Sequence, residues 1–310
     1  MSGEAEPLLV VAGPTATGKT AAALALARHF GGELIGADSV QVYRGFDIGS
    51  AKPSPEELGG LSHHLIDVID PDEEIDAMRY AALADAAIEQ VRERGRLPIV
   101  VGGTGLWLRA LLRGLVDLPA VDIDLRNRLA AEAASKGTAS MHARLAQVDP
   151  ITAAAVHPND QMRIVRALEV FEQTGTPLGE LRKAHALGED RYRALVLVLD
   201  MEREAHAELI AARVDRMLER GWVDEVVVLR ERWGDAPRAF SSVGYRELLS
   251  HVRDGIPLEE TRRLICKSTR TYARRQRTWF RGEPGEKWFS THSEISCPEA
   301  FERIARELSL

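Results

Sequence analysis

Residues 13–20, Gly-Pro-Thr-Ala-Thr-Gly-Lys-Thr, fit the pattern G-x-x-x-x-G-K-[ST]. In such a loop, backbone N–H groups from about Thr15 to Thr20 point inward, and the helix that follows adds its positive end. The loop Gly13, Pro14, Thr15, Ala16, Thr17, Gly18, Lys19, Thr20 is therefore suited to phosphate. Lys19 would reach phosphate oxygens, and the Thr20 hydroxyl is the usual ligand for Mg²⁺. Nothing in the pattern demands a triphosphate; any diphosphate-bearing molecule would fit. Asp38 opens the stretch DSVQVYRGFDIGSAKP at 38–53. A carboxylate beside a phosphate site holds Mg²⁺ through water or acts as a general base, and the residues alone leave both roles open. Asp200, at the end of LVLVLD, is a competing metal residue ranked lower because it lies far down the chain. His63 and His64 have no third ligand at a helpful spacing and read as structural.

A second feature is electrostatic. The stretch TRRLICKSTRTYARRQRTWFR at 261–281 holds eight basic residues and no acid. The chain carries a net charge of −7, so the remainder without these eight carries −15. Arg263, Lys267, Arg270, Arg274, Arg277 and Arg281 alternate spacings of four and three, which makes one stripe on an α-helix. Ile265, Tyr272 and Trp279 are expected on the opposite, core-facing side. A charge run is usually a solvated face. This one lacks acids to pair it, so a nucleic-acid backbone is its natural counterpart.

The elements that must position these groups follow from local pattern. Pro7–Ala12 reads as a strand, the glycine loop follows, and an alanine- and leucine-rich helix runs to about Phe30. Both flanking elements argue against a chance glycine turn. Glu33–Ala37 and Leu97–Val101 read as further strands, the second running into Gly102-Gly103-Thr104-Gly105, with helices at about Asp76–Arg94 and from there to about Gly114. Strands alternating with helices predict α/β architecture: a P-loop nucleotide-hydrolase-like parallel sheet flanked by helices. Ligands of such sheets bind beyond the strands' carboxyl ends, where the loop, Asp38 and Thr104 should converge. From Leu118 the pattern turns helical, broken by Pro150, Pro158 and Pro177, until a strand at Ala194–Leu199. The expected division is a first core part at 1–117, an all-helical insertion domain at 118–192, and a second core part with the basic helix at 193–310.

Composition excludes other classes. The hydrophobic content of 45% suits a globular core, and no apolar run reaches membrane-span length. The start, MSGEAEPLLVV, lacks a basic n-region, and Cys266 and Cys297 have no C-x-x-C spacing. A cytoplasmic protein with two reduced thiols is expected, acting as a monomer.

Several blocks together resemble the bacterial tRNA dimethylallyltransferase (tRNA isopentenyltransferase) family. They are GPTATGKT at 13–20, ADSVQVYRGFDIGSAKP at 37–53, HHLIDVIDP at 63–71, VGGTGLWLRALLRGL at 101–115, RIVRALEVFEQTGTPL at 163–178, ARVDRMLERGWVDEV at 212–226, SSVGYRELL at 241–249 and TRTYARRQRTWFR at 269–281. They follow the family's order and cover nearly the whole chain. The resemblance implies transfer of a dimethylallyl group from dimethylallyl diphosphate to N6 of the adenosine just 3′ of the anticodon, in tRNAs reading codons that begin with U. It implies that Asp38 accepts the N6 proton and that Thr20 and Arg213 bind and stabilise the diphosphate, a task Lys19 shares by its place in the loop. It also implies contacts to the anticodon stem-loop from Asp38, Ser39, Val40, Gln41, Thr104, Arg126, Arg163 and Arg166, with the target base flipped out of its stack. Arg270 and Arg274 of the stripe, and Arg246, join them as expected tRNA contacts. Mg²⁺ is the expected cofactor. Trp107 stands where the family commonly has Tyr, which removes any hydroxyl contact there, and the expected form is the bacterial one, without the C-terminal zinc finger of the eukaryotic enzymes.

Three rival readings are an ATP-dependent small-molecule kinase, an adenylate dimethylallyltransferase, and a non-enzymatic RNA-binding protein with a regulatory nucleotide site. The first explains only residues 1–40. The second leaves the basic stripe and the 163–178 block unused, and the third gives Asp38 and Arg213 no task.

Overall fold

The computed structural model describes residues 7–185, 190–290 and 292–309. The chain divides into two compact units, Met1–Leu112 with Arg191–Leu310, and Arg113–Asp190.

The first unit begins with β1 (Leu8–Ala12), α1 (Lys19–Phe30), β2 (Gly32–Ala37), α2 (Pro55–Leu58), β3 (His63–His64), α3 (Ala77–Glu93), β4 (Leu97–Gly102) and α4 (Gly105–Arg113). The second unit supplies α5 (Ile123–Lys136), α6 (Thr138–Val148), α7 (Pro150–Ala155), α8 (Gln161–Thr174) and α9 (Leu178–His185). The chain then returns to the first unit with β5 (Ala194–Leu199), α10 (Arg203–Glu219), α11 (Trp222–Trp233), a 3₁₀ turn at Arg238–Ser241, α12 (Tyr245–Asp254) and α13 (Leu258–Arg281). It ends in β6 (Lys287–Phe289), α14 (His292–Ile295) and α15 (Pro298–Leu308).

The six strands form one sheet in the order β3-β2-β4-β1-β5-β6, every pair parallel. β1 and β4 are buried along their whole length, which explains why they read as apolar runs without alternation. The order reverses direction at β1, with β4 on one side and β5 on the other. Such a reversal opens a crevice at the strands' carboxyl ends. The phosphate loop, Asp38, Gly103-Thr104 and Asp200 follow β1, β2, β4 and β5, and these four strands are adjacent. Gly13 makes the tight exit from β1 possible: its φ is +137°, and a Cβ there would lie 2.2 Å from the Leu199 carbonyl oxygen of β5. The edge strands β3 and β6, two and three residues long, were not foreseen, being too short to show any periodicity.

The second unit has its own core, built on Leu129, Met141, Leu145, Ile164, Leu168 and Leu178. Pro150 and Pro177 stand at the starts of α7 and α9, while Pro158 lies in the turn before α8. Pro150 opens α7 behind Asp149, whose buried carboxylate accepts the N–H of Thr152 at 2.9 Å and of Gly179 at 2.9 Å. One side chain thus caps α7 and ties it to α9. No described helix is long and apolar enough to cross a membrane. Cys266 is buried and Cys297 partly so, and both are free thiols.

Glu33 fastens the β3 edge. Its carboxylate receives Nη2 of Arg94 at 2.7 Å and lies 2.8 Å from Nε2 of His64. Hydrogen bonding from Arg94, helped by His64 and opposed by burial, lowers its pKa to about 2. Its stabilising effect is complete above the unfolded carboxylate value and is lost as pH falls from there through about 2. Glu33→Gln should destabilise the protein by about 2 kcal/mol at neutral pH and by much less near pH 2, read from urea unfolding across that range.

Candidate active site

The phosphate loop is held open by its own backbone. Ala16 and Gly18 have φ of +64° and +85°. Gly18 is the N-cap of α1, and no side chain caps that helix. The first N–H groups of α1 therefore lack the partners that a capping residue would supply, the condition that favours an anion. Within the loop the Thr17 hydroxyl donates to the Pro14 carbonyl at 2.9 Å, and Lys19 Nζ donates to the same oxygen at 2.6 Å. The Thr20 hydroxyl makes no hydrogen bond to another described residue. One expectation needs correcting: the Thr15 N–H does not face the anion site. It donates to Oε1 of Gln276 at 2.9 Å, so inward-pointing amides can begin only after Thr15.

Lys19 and Arg213 share one environment with Asp38. Burial first and the nearby Arg213 guanidinium second, opposed by Asp38, together lower the Lys19 pKa to about 7. Burial also lowers Arg213, with Asp38 as the charge that favours its cation. Two desolvated cations therefore face one carboxylate. Asp38 Oδ1 accepts the N–H groups of Val40 at 2.9 Å and Gln41 at 3.3 Å, which fixes the carboxylate plane. Its second oxygen has no hydrogen bond among the described residues. The Ser39 N–H donates to the Thr104 hydroxyl at 3.1 Å, and the Thr104 N–H to the Ala37 carbonyl at 3.2 Å. Tyr272 of α13 lies beside both Thr104 and Asp38; burial and the Asp38 charge push its phenol pKa up. Tyr272 thus lies on the inner side of α13, as its spacing predicts, and its phenol belongs to this cluster.

The loop after Asp38 is clamped by a residue that sequence reasoning missed. Glu225 of α11 accepts the N–H groups of Asp47 at 3.0 Å, Ile48 at 2.6 Å and Gly49 at 3.4 Å. It also accepts the Tyr245 hydroxyl at 2.6 Å, and Tyr245 is buried, so Tyr245 is a core residue. Gln41 closes the loop by donating to the Ser50 carbonyl at 2.9 Å. Nothing local marks Glu225, which acts across 177 positions. Trp107 is buried and stacked on Tyr80, with centroids 4.3 Å apart, so its role is to pack α4 on α3. Asp200 is not free for a metal. Arg277 Nε reaches its two oxygens at 2.7 and 2.8 Å.

That pairing revises the basic stripe. Arg277 is buried and faces inward, Arg281 lies 3.6 Å from Asp200, and Arg262 Nη2 donates to Asp215 at 2.7 Å. The acids come from the residue just after β5 and from α10, outside the basic run. Arg263, Lys267, Arg270, Arg274 and Arg275 remain exposed, with no ion pair among the described residues. Arg246 of α12 is exposed and pairs with its neighbour Glu247. In the second unit, Arg126 and Arg166 both reach the fully buried carboxylate of Glu169, at 2.9 and 3.1 Å. Two cations on one acid leave a net positive charge at that surface. Arg163 is 67% exposed, with Asp160 at 3.5 Å.

Comparison with known proteins bears on this arrangement. A family model described as IPP transferase matches residues 41–283. This chain belongs to the IPP transferase family. The tRNA dimethylallyltransferase of Anaeromyxobacter dehalogenans (strain 2CP-C) is 51% identical over 297 residues, 96% of this chain and 98% of its own length. The full-length tRNA isopentenylpyrophosphate transferase of Bacillus halodurans superposes with a TM-score of 0.73 at 38% identity, covering 98% of this chain and 97% of its own. A eukaryotic dimethylallyltransferase captured acting on tRNA superposes with a TM-score of 0.75 at 28% identity, over 97% of this chain and 78% of its own. An IPP transferase that aligns along almost its full length with such enzymes is not a small-molecule kinase or a regulatory RNA-binding protein.

Two measurements test the site. Anion binding should restore the Lys19 proton that burial and Arg213 have displaced, since the free pKa is about 7 and an anion raises it. Pyrophosphate binding should therefore take up about one proton more in wild type than in Lys19→Met near pH 8, and about none more below pH 6, by calorimetry in two buffers. Glu225→Gln turns an amide donor toward the N–H groups of Asp47, Ile48 and Gly49; their hydrogen exchange should accelerate by about tenfold or more.

Proposed function

We propose that this chain transfers a dimethylallyl group from dimethylallyl diphosphate to N6 of the adenosine 3′-adjacent to the anticodon, in tRNAs reading codons that begin with U, releasing diphosphate. The observation that carries the reading is a carboxylate with one unpartnered oxygen, Asp38, set among desolvated cations at the uncapped head of α1. The adenine amine is a poor nucleophile because its lone pair is delocalised into the ring. As N6 bonds to the allylic carbon, the carbon–oxygen bond to diphosphate breaks and the N6 proton passes to the free oxygen of Asp38. Negative charge grows on the departing diphosphate, where Lys19, Arg213, the Thr20 hydroxyl and the α1 amides receive it. Gly13, Pro14, Thr15, Ala16, Thr17 and Gly18 supply the wall of that cradle.

Mg²⁺ suits this donor set in one form only. No three His, Cys, Asp or Glu residues form a metal cluster among the described residues, while the Thr20 hydroxyl is uncommitted. An ion held mainly by diphosphate oxygens and water, with Thr20 as its protein ligand, fits these residues. When bound, it would neutralise diphosphate charge.

The five unpaired cations of α13 are suited to the anticodon stem-loop backbone. Ser39, Val40, Gln41 and Thr104 lie around Asp38, where a flipped adenosine would enter. Arg126, Arg163 and Arg166 give the helical unit a basic surface of its own. Arg246 is a further exposed cation on α12.

The decisive assay supplies labelled dimethylallyl diphosphate, Mg²⁺ and an anticodon stem-loop, with ATP and free AMP as controls. Label in the stem-loop supports the reading, and label in AMP alone sinks it. Asp38→Asn should bind the stem-loop normally yet lose transfer by about a hundredfold or more; full single-turnover activity would exclude Asp38 as the base. Arg270→Ala with Arg274→Ala should weaken stem-loop binding and flatten the slope of log K against log salt by about 1.4. An unchanged slope would make the stripe a solvated face.

A further inference from the structure

Thr15 is gripped from both sides by side chains of other elements. Its N–H donates to Oε1 of Gln276 on α13 at 2.9 Å, and its carbonyl lies 2.7 Å from Nε2 of His206 on α10. Both side chains are buried. The other half of the Gln276 amide is also used: Nε2 donates to the Gly103 carbonyl at 2.8 Å. A Cβ on Gly103 would lie 2.3 Å from that nitrogen, so glycine there leaves room for the amide. A carbonyl only accepts, so Nε2 of His206 carries the hydrogen. Its Nδ1 is then the bare nitrogen that receives Nη2 of Arg277, 3.3 Å away. Arg277 follows Gln276 on α13 and is itself locked to Asp200.

The two bonds restrain two successive peptide planes, 14–15 and 15–16. The residue that follows them is Ala16, at φ +64°, a conformation unfavourable for any residue with a Cβ. In a trans peptide the N–H points opposite to the carbonyl. Fixing the Thr15 carbonyl on His206 therefore fixes the direction of the Ala16 N–H.

We infer that Gln276 and His206 are positioning residues for the phosphate loop: they set the peptide planes around Thr15, aim the Ala16 N–H at the diphosphate, and make that aim depend on the seating of α13. The inference rests on the reading of the loop as a diphosphate cradle. Its consequence is mechanical. The outer face of α13 carries Arg270, Arg274 and Arg275, and its inner face holds the loop. One helix thus carries exposed cations on one side and shapes the cradle from the other.

The test compares wild type with Gln276→Ala, His206→Ala and His206→Gln. Pyrophosphate affinity is measured by calorimetry and anticodon stem-loop affinity by fluorescence anisotropy. Both alanine variants should bind pyrophosphate about tenfold more weakly while stem-loop affinity stays within about twofold. Glutamine offers a donor for Thr15 and an acceptor for Arg277, so His206→Gln should recover most of the loss. Unchanged pyrophosphate affinity in the folded variants would overturn the inference. So would equal losses for both ligands, which would mean that these residues only hold α13, or a glutamine variant no better than alanine. If Gln276→Ala does not fold, the His206 pair decides. A wild-type protein that binds pyrophosphate but not the stem-loop would sink the RNA reading and leave the pyrophosphate comparison intact.

Discussion

Two cations and one carboxylate, partly withdrawn from water at the head of α1, impose the constraint from which the rest of this structure follows. Lys19 and Arg213 disfavour each other, and Asp38 alone cannot satisfy both. The imbalance is a stored preference for an anion. It also explains why the loop needs outside support. A backbone with left-handed Ala16, beside desolvated charges, is costly unless neighbouring elements hold it. The sheet provides one wall through Gly13 and Leu199, and α13 and α10 provide the other through Gln276 and His206.

α13 is therefore two surfaces on one rod. Its inner face spends Gln276 and Arg277 on the phosphate loop, Gly103 and Asp200, all at the carboxyl end of the sheet. Its outer face keeps exposed cations without ion pairs among the described residues. The glycines of the Gly102-Gly103-Thr104-Gly105 loop serve this contact. A Cβ at Gly105 would lie 2.3 Å from the Trp279 ring, as one at Gly103 would from Gln276. The same loop presents Thr104 to the Asp38 segment, so helix docking and base positioning meet at one turn.

The helical unit solves a different problem. Glu169 is buried in a small core, where a lone carboxylate would be strongly unfavourable. Arg126 and Arg166 neutralise it from the surface side and remain partly exposed. The arrangement fixes two guanidinium groups that would otherwise sample many rotamers, and leaves them with surplus positive charge. Pre-ordering of this kind lowers the entropy lost when a polyanion is bound.

Much of the site was legible because its signals are local. The phosphate loop, the strands β1, β4 and β5, the periodic helix α3 and the proline-divided helices each depend on residues within a few positions of one another. Asp38 could be placed near the loop because the two follow β2 and β1, parallel strands of one sheet whose carboxyl ends share a side. The sequence by itself also determined that the chain carries an unbalanced basic helix. Only the tertiary structure decided which of its charges are free, since Arg277 finds Asp200 from 77 positions away. It alone revealed Gln276 on Thr15, across 261 positions, and Glu225 on the Asp47–Gly49 amides. Such pairings depend on where whole elements pack, and no spacing rule within one element encodes them.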